Sequence, residues 1–84
     1  MNILLTGGLG FIGSHVAVLL GKTDHKIIII DNLSNSSYDI LLKIKKLVKY
    51  PNHIDFIQGD VTNKEELEKI FMSTQIDAII HFAS

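Results

Sequence analysis

The 84-residue chain contains no cysteine, no tryptophan and no arginine, and only one proline. Without cysteine there are no disulfides, no thiolate metal sites and no cysteine nucleophile. Without arginine, all fixed positive charge rests on lysine, interleaved with acids at a net charge of −1. A nucleic-acid surface wants a basic stripe and usually arginine for the base edges, so that class is set aside. No apolar run reaches the roughly 20 residues a bilayer-spanning helix needs. The N-terminus opens on a strand-like segment, without a basic stretch or cleavage site before it. These absences predict a cytoplasmic protein with neither nucleic acid nor membrane as partner. An apolar share of 46% is ordinary and gives no sign of disorder. The length allows one small domain, burying about 60–65% of its unfolded surface.

What is present is glycine at a telling place. Thr6-Gly7-Gly8-Leu9-Gly10-Phe11-Ile12-Gly13 follows the apolar run Ile3-Leu4-Leu5. Gly7 can turn the chain with φ > 0 at little steric cost. Gly10 lets a pyrophosphate approach the backbone, and Gly13 lets the next helix pack closely on the strand it has left. A helix starting near Phe11 aims free N–H groups and the positive end of its dipole at an anion. Gly8, Gly10 and Gly13 spell a second, overlapping G-x-G-x-x-G, a weak signal without context.

The context is an alternation of strands and helices. Asn2 to Thr6 reads as a buried strand, and Phe11 to Leu20 as a helix whose inner face is Ile12, Val16, Leu19 and Leu20, capped by Gly21. Ile27 to Ile30 is a strand covered on both faces, ending at Asp31. A polar loop follows, with Ser37 as N-cap of a helix that turns Ile40, Ile44, Leu47 and Val48 inward and stops before Pro51. Ile54 to Ile57 is a third strand. Thr62-x-x-Glu65 has the form of a capping box for a third helix, with Leu67, Ile70 and Phe71 inward and Lys64, Glu66, Glu68 and Lys69 outward. Ile76 to Phe82 is a fourth strand. The order β-α-β-α-β-α-β predicts the first part of a Rossmann-like, doubly wound parallel α/β sheet, with strand order 3-2-1-4. Such a sheet lacks its second half, so residues 1–84 are expected to form a partial domain.

Asp31 lies 18 residues after Gly13, where a carboxylate can accept hydrogen bonds from an adenosine ribose and repel a 2′-phosphate. The competing reading is a turn cap; with the glycine loop upstream, the ribose role and NAD are favoured. Asp60 ends the third strand, placed either to accept from an adenine amine or merely to order its turn. Phe82, Ala83 and Ser84 end the fourth strand beside the glycine loop, where small residues let a dinucleotide pass and Phe82 alone is more simply a packing residue. His15 and His81 read as structural or packed, and His25 and His53 as solvated; none pairs at metal-ligand spacing. Ser14 and His15 diverge on a helix and form no nucleophile–base pair. Tyr38 is followed four residues on by Leu42, and Tyr50 by Ile54, so neither tyrosine has the lysine that would lower its pKa for acid–base work. No catalytic residue is expected in this segment.

The glycine stretch Thr6–His15, Asp31-Asn32-Leu33-Ser34-Asn35-Ser36, Gly59-Asp60-Val61 and His81-Phe82-Ala83 together resemble the extended short-chain dehydrogenase/reductase superfamily. The D-N-L-x-N-S stretch points to its 4-epimerase branch, which interconverts UDP-glucose and UDP-galactose by transient oxidation at sugar C4. The resemblance covers about the first quarter of such an enzyme. It implies NAD as cofactor, with Phe11 and Ile12 at the pyrophosphate and Asp31, Asn32, Leu33, Ser34, Asn35 and Ser36 around the ribose. Asp60 and Val61 would meet the adenine, and Phe82 and Ala83 the nicotinamide half. Ser84 departs from the usual glycine. The catalytic Tyr-x-x-x-Lys and the sugar-binding part would lie beyond residue 84, the substrate would be a UDP-sugar, and the parent a homo-oligomer. A nucleotide-sugar dehydratase or uronate epimerase, and a catalytically inert NAD-binding fragment, stand as alternatives.

Overall fold

Ile27, Ile28, Ile29 and Ile30 are all at least 96% buried, and the sheet is built around them. In a computed structural model that describes residues 1–34 and 36–82, these residues form the middle of strand β2 (Lys26–Asp31). The other elements are β1 (Asn2–Thr6), α1 (Phe11–Gly21), α2 (Tyr38–Leu47), a 3₁₀ turn at Pro51–His53, β3 (Ile54–Gln58), α3 (Lys64–Ser73) and β4 (Ala78–His81). The four strands are parallel in the order β3-β2-β1-β4, as the alternation predicts.

Successive side chains leave a strand on opposite faces, which sorts the apolar residues into two layers. Ile3 and Leu5, Ile27 and Ile29, Ile54 and Phe56, and Ala78 and Ile80 meet α1 and α2 on one face. Leu4, Ile28, Ile30 and Ile57 meet Ile70 of α3 on the other. Two helices cover the first face and one covers the second, so on the second face Ile79 of the edge strand is left 53% exposed. Each fully buried Leu or Ile contributes about 1.5–3 kcal/mol.

Helix α1 does not use the apolar face its hydropathy suggests. Its buried residues are Gly13, Ala17 and Gly21, with Val16, Val18 and Leu20 partly buried, while Ile12 and Leu19 are 62% and 65% exposed. Small residues at i, i+4 and i+8 bring the helix backbone itself against its neighbours. Gly21 lies inside the helix and is not its cap: Lys22 is the C-cap, and a Cβ on Gly21 would stand 2.3 Å from Val48 Cγ1.

Other boundaries shift for similarly local reasons. In α2 the buried residues are Leu41 and Ile44, while Leu47 faces solvent. Ser37 is its N-cap by position but makes no side-chain capping bond. Phe71 of α3 is 45% exposed, and Ile70 is the residue this helix buries against the sheet. Strand β4 is shorter than its apolar run: Asp77 anchors it by donating its N–H to Asn2 O at 2.8 Å, and Asp77 Oδ2 accepts from Asn2 N at 2.7 Å. The anticipated capping box does not form. Asn63 is the N-cap of α3, its Oδ1 accepting from Glu65 N at 3.1 Å and Glu66 N at 3.3 Å.

Candidate functional site

Strand order reverses at β1: the chain runs outward to β2 and β3, then returns to β4 on the other side. Ligands of open α/β sheets bind in the crevice beyond the carboxyl ends of the strands at such a switch point. Here the glycine loop leaves β1 at that crevice. Gly7 takes φ 68°, the left-handed turn, and its N–H donates to Ile30 O on β2 at 2.8 Å. Gly10 N then donates to Gly7 O at 3.1 Å. A Cβ on Gly13 would lie 2.3 Å from Gly7 O, so glycine there lets the start of α1 press on the loop it has just left. A Cβ on Gly8 would lie 2.7 Å from Ile29 Cγ2, so both overlapping glycine patterns answer to real close approaches. At Gly10 the nearest atom to such a Cβ is 3.4 Å away, and the loop is open.

Gly10 is also the N-cap of α1, and no side chain caps it. Ser14 N, bonded to Gly10 O at 2.8 Å, is the first N–H to close a helical turn. The N–H groups of Phe11, Ile12 and Gly13 precede it and have no intrahelical acceptor. This terminus carries the dipole's positive end, and among the described residues no side chain caps it and no acidic residue lies in its first turn. Ser14 Oγ and His15 Nδ1–H both donate to Phe11 O, at 3.0 and 2.6 Å, and not to one another. His15 is exposed rather than packed.

Asp31, at the tip of β2, is part of this loop's scaffold. Its Oδ2 accepts from Leu9 N at 3.1 Å; its Oδ1 accepts from Leu33 N at 2.8 Å and Ser36 Oγ at 3.1 Å. The Leu33 bond closes a turn in which Leu33 takes φ 63°, unusual for a residue with a γ-branched side chain, while its side chain packs on the core. Asn32 Oδ1 accepts from Ser34 N at 3.0 Å. Asp31 is therefore a turn cap with three partners, Leu9, Leu33 and Ser36, and it also lines the cleft described below.

Asp60 sits past the tip of β3. Its Oδ1 accepts from Thr62 N at 2.9 Å and Thr62 Oγ1 at 2.7 Å, and the Thr62 hydroxyl, then its amide, hold this exposed carboxyl below the usual range. Its N–H donates to Glu66 Oε2 at 2.9 Å. Glu66, expected on the outer side of α3, thus reaches back under Gly59, where a Cβ would come within 2.7 Å of the same oxygen.

These parts enclose a cleft of about 190 Å³ lined by Gly7, Gly10, Ile30, Asp31, Asn32, Ser34, Ser36, Gly59, Asp60, Val61, Thr62 and Phe82. It brings nine of the anticipated residues together: Gly7, Gly10, Asp31, Asn32, Ser34, Ser36, Asp60, Val61 and Phe82. Gly13 and Leu33 shape the loops behind it. Phe11 opens instead on a wider, apolar groove between α1 and α2, with Leu19 and Leu47, and Ile12 is exposed. Asn35, Ala83 and Ser84 lie outside the described residues. Gly59 and Thr62 join the cleft without having been singled out as ligand contacts; Gly59 next to Asp60 at a strand end was the available signal.

Of the remaining histidines, His81 is structural without being packed, and His53 is not simply solvated. His81 is exposed at the edge of the sheet, its Nδ1 hydrogen-bonded to Thr6 Oγ1 at 2.5 Å. Thr6 is 3% exposed and, among the described residues, the buried polar side chain; left unpaired, its hydroxyl would cost about 1–3 kcal/mol. His53 stacks on Tyr50 at 5.0 Å with Nδ1 buried and unpartnered among the described residues. No helix among those residues is long and apolar enough to cross a membrane.

A parallel β3-β2-β1-β4 sheet with a glycine loop and an uncapped helix at its switch point defines a Rossmann-like α/β domain. The chain belongs to the family described as GDP-mannose 4,6 dehydratase, which matches residues 4–84. It is 50% identical over 82 residues to the UDP-glucose 4-epimerase of Neisseria meningitidis serogroup A, and 40% identical over 83 residues to that of Bacillus subtilis. Those alignments cover 98% and 99% of this chain and 24% of each relative. The UDP-glucose 4-epimerase of Bifidobacterium longum, crystallised with NAD+ and UDP, superposes on the whole chain with a TM-score of 0.92 at 33% identity, again over 24% of its own length. The Stenotrophomonas maltophila enzyme, bound to NAD and a formylated UDP-arabinopyranose, gives 0.92 at 34% identity and the same coverage. The chain thus spans about a quarter of the length of the relatives it matches.

Proposed function

We propose that residues 1–84 are the NAD-binding first portion of a nucleotide-sugar 4-epimerase that interconverts UDP-glucose and UDP-galactose. The carrying observation is the cleft that joins the open Gly10 terminus of α1 to the carboxylates of Asp31 and Asp60. Its parts fit the cofactor: a pyrophosphate can approach where Gly10 leaves room, and strand-tip carboxylates line the side where a ribose and adenine would lie. Phe11, Ile12 and Gly13 would donate backbone N–H groups to the pyrophosphate. Asp31, with Asn32, Leu33, Ser34, Asn35 and Ser36, would surround the ribose, Asp60 and Val61 the adenine, and Phe82 and Ala83 the nicotinamide half. The cofactor would supply transient hydride removal at sugar C4; this chain's residues hold and orient it.

On this reading the segment binds NAD and turns over no substrate. The acid–base residues and the UDP-sugar site belong to chain beyond residue 84, in a cytoplasmic, homo-oligomeric parent. The cysteine-free composition agrees with that setting. Titration of NAD into the chain tests the cofactor, and saturable binding is expected. Product analysis of the protein carrying this segment tests the reaction: UDP-galactose from UDP-glucose is expected, and a protein that makes none overturns it.

A second reading, a nucleotide-sugar dehydratase, is favoured by the description of the matching family. Formation of a 4-keto-6-deoxy sugar nucleotide from GDP-mannose, with no UDP-galactose from UDP-glucose, would select it.

A further inference from the structure

We infer that His81 is a positioning residue for the glycine loop, acting through Thr6. The inference rests on the dinucleotide reading above and deepens it. Thr6 is the last residue of β1 and stands directly opposite His81 in the β1–β4 ladder. Its hydroxyl meets His81 Nδ1 at 2.5 Å, and its carbonyl accepts from Phe82 N at 2.9 Å. Side chain and backbone therefore both tie the tip of β1 to β4. One residue later the chain turns at Gly7, whose N–H is held by Ile30 O on the opposite neighbour, β2.

A buried hydroxyl in an apolar strand has to be paired, and a valine would fill the same volume without that requirement. The polar pair instead occurs at the rung from which the loop springs. His81 itself is exposed, on a strand covered from that side by no helix among the described residues, so packing does not account for it. Either tautomer makes the bond, with the hydroxyl donating to a bare Nδ1 or accepting from Nδ1–H. In both cases the imidazole fixes the tip of β1 relative to β4, and with it the site where the Gly10 backbone meets a phosphate. Asp31 and Asp60 lie beyond β2 and β3, on the far side of that brace.

The placement predicts a split between ligands. The chain, as wild type and as His81→Leu, Thr6→Val, the double variant and His81→Asn, is titrated with ADP-ribose and with adenosine. His81→Leu and Thr6→Val are expected to weaken ADP-ribose about tenfold, the scale of one hydrogen bond, with adenosine changed less than about twofold. The double variant should be no weaker than either single one, since both remove the same bond. His81→Asn should restore most of the affinity, because its amide can reach the hydroxyl from the Nδ1 position. Melting curves set a temperature at which every variant is folded, and the isosteric Thr6→Val keeps the test alive if His81→Leu does not fold. Unchanged ADP-ribose affinity, additive losses, or equal weakening of adenosine would overturn the positioning role while leaving dinucleotide binding intact. A wild-type chain that binds adenosine but not ADP-ribose, or neither, overturns the dinucleotide reading and the positioning role with it.

Discussion

The backbone N–H of Leu9 donates to Asp31 Oδ2 over 3.1 Å, linking the glycine loop to the tip of the neighbouring strand. One carboxylate therefore serves the shape of the loop as well as the charge of the cleft. Its other oxygen takes Leu33 N and Ser36 Oγ, so removing it strands three donors at once. Asp31→Ala is expected to cost about 1–3 kcal/mol in urea unfolding and to abolish measurable NAD binding. Asp31→Asn, which keeps one acceptor oxygen, should fall between.

Gly10 and Gly13 separate shape from access. A methyl on Gly13 would run into the Gly7 carbonyl at 2.3 Å, whereas one on Gly10 meets nothing closer than 3.4 Å. Gly13→Ala should destabilise the chain by about 1–3 kcal/mol and weaken NAD together with it. Gly10→Ala should cost only about 0.5–1 kcal/mol, the difference between glycine and alanine at an N-cap, yet weaken NAD about tenfold or more by occupying the approach to the backbone. Paired denaturation and NAD titration of the two variants read this directly.

The Asp60 turn is acid-labile in a defined direction. The Thr62 hydroxyl and amide bind the ionised carboxyl, so its folded pKa is lowered. Its contribution to stability is then fully present above the unfolded value of about 3.9 and disappears as pH falls through the folded one. Thr62→Val removes the larger of the two bonds and should move the Asp60 titration, followed by carboxyl NMR, back up toward the ordinary value. An unmoved titration would show that the amide alone holds it.

Asn63 is the cap that starts α3. Asn63→Ala should cost about 1 kcal/mol in chemical denaturation, with helix content falling at that end. Thr62 makes no cap bond; its hydroxyl donates to Asp60, and Thr62→Val should leave the helix itself intact.

Among the described residues nothing pairs with the outer edge of β4, the strand that carries Ile79. Parallel strands with an unprotected edge pair readily, and Ile79 is 53% exposed beside it. Light scattering should show the segment self-associating as concentration rises, and Ile79→Lys should shift it toward monomer. A sharp monomer at high concentration would count against this.

Strand order was legible from the strand–helix alternation and the glycine loop after β1, and the two candidate carboxylates from their places at the ends of apolar strands. Four β-branched residues before Asp31 announce a doubly covered strand, and glycine punctuation announces the loop. Helix α1 was misread because its packing face is Gly13-Ala17-Gly21, where closeness of backbones replaces hydropathy as the signal. The exposed Leu19 and Phe71 looked inward because apolar spacing names a face without saying whether anything covers it. Glu66 escaped the helical pattern for a different reason: its bond to Asp60 N runs from the helix back to the loop before it, and periodicity along a helix does not report such contacts.

The glycine loop leaves β1 tied to both neighbouring strands: Thr6 to β4, Gly7 to Ile30 of β2, and Leu9 to Asp31 at the end of β2. Loops that grip ligands are often drawn from the least stable parts of a fold, but this one has no joint at which to come away alone. The Gly7 and Leu9 amides, both bonded to β2, should exchange with solvent only as the central strands open, while the unbonded amides at the start of α1 exchange freely. A ligand bound at Gly10 should then stabilise the sheet as a whole, so that amides of β4 gain protection from exchange along with those of β1 and β2.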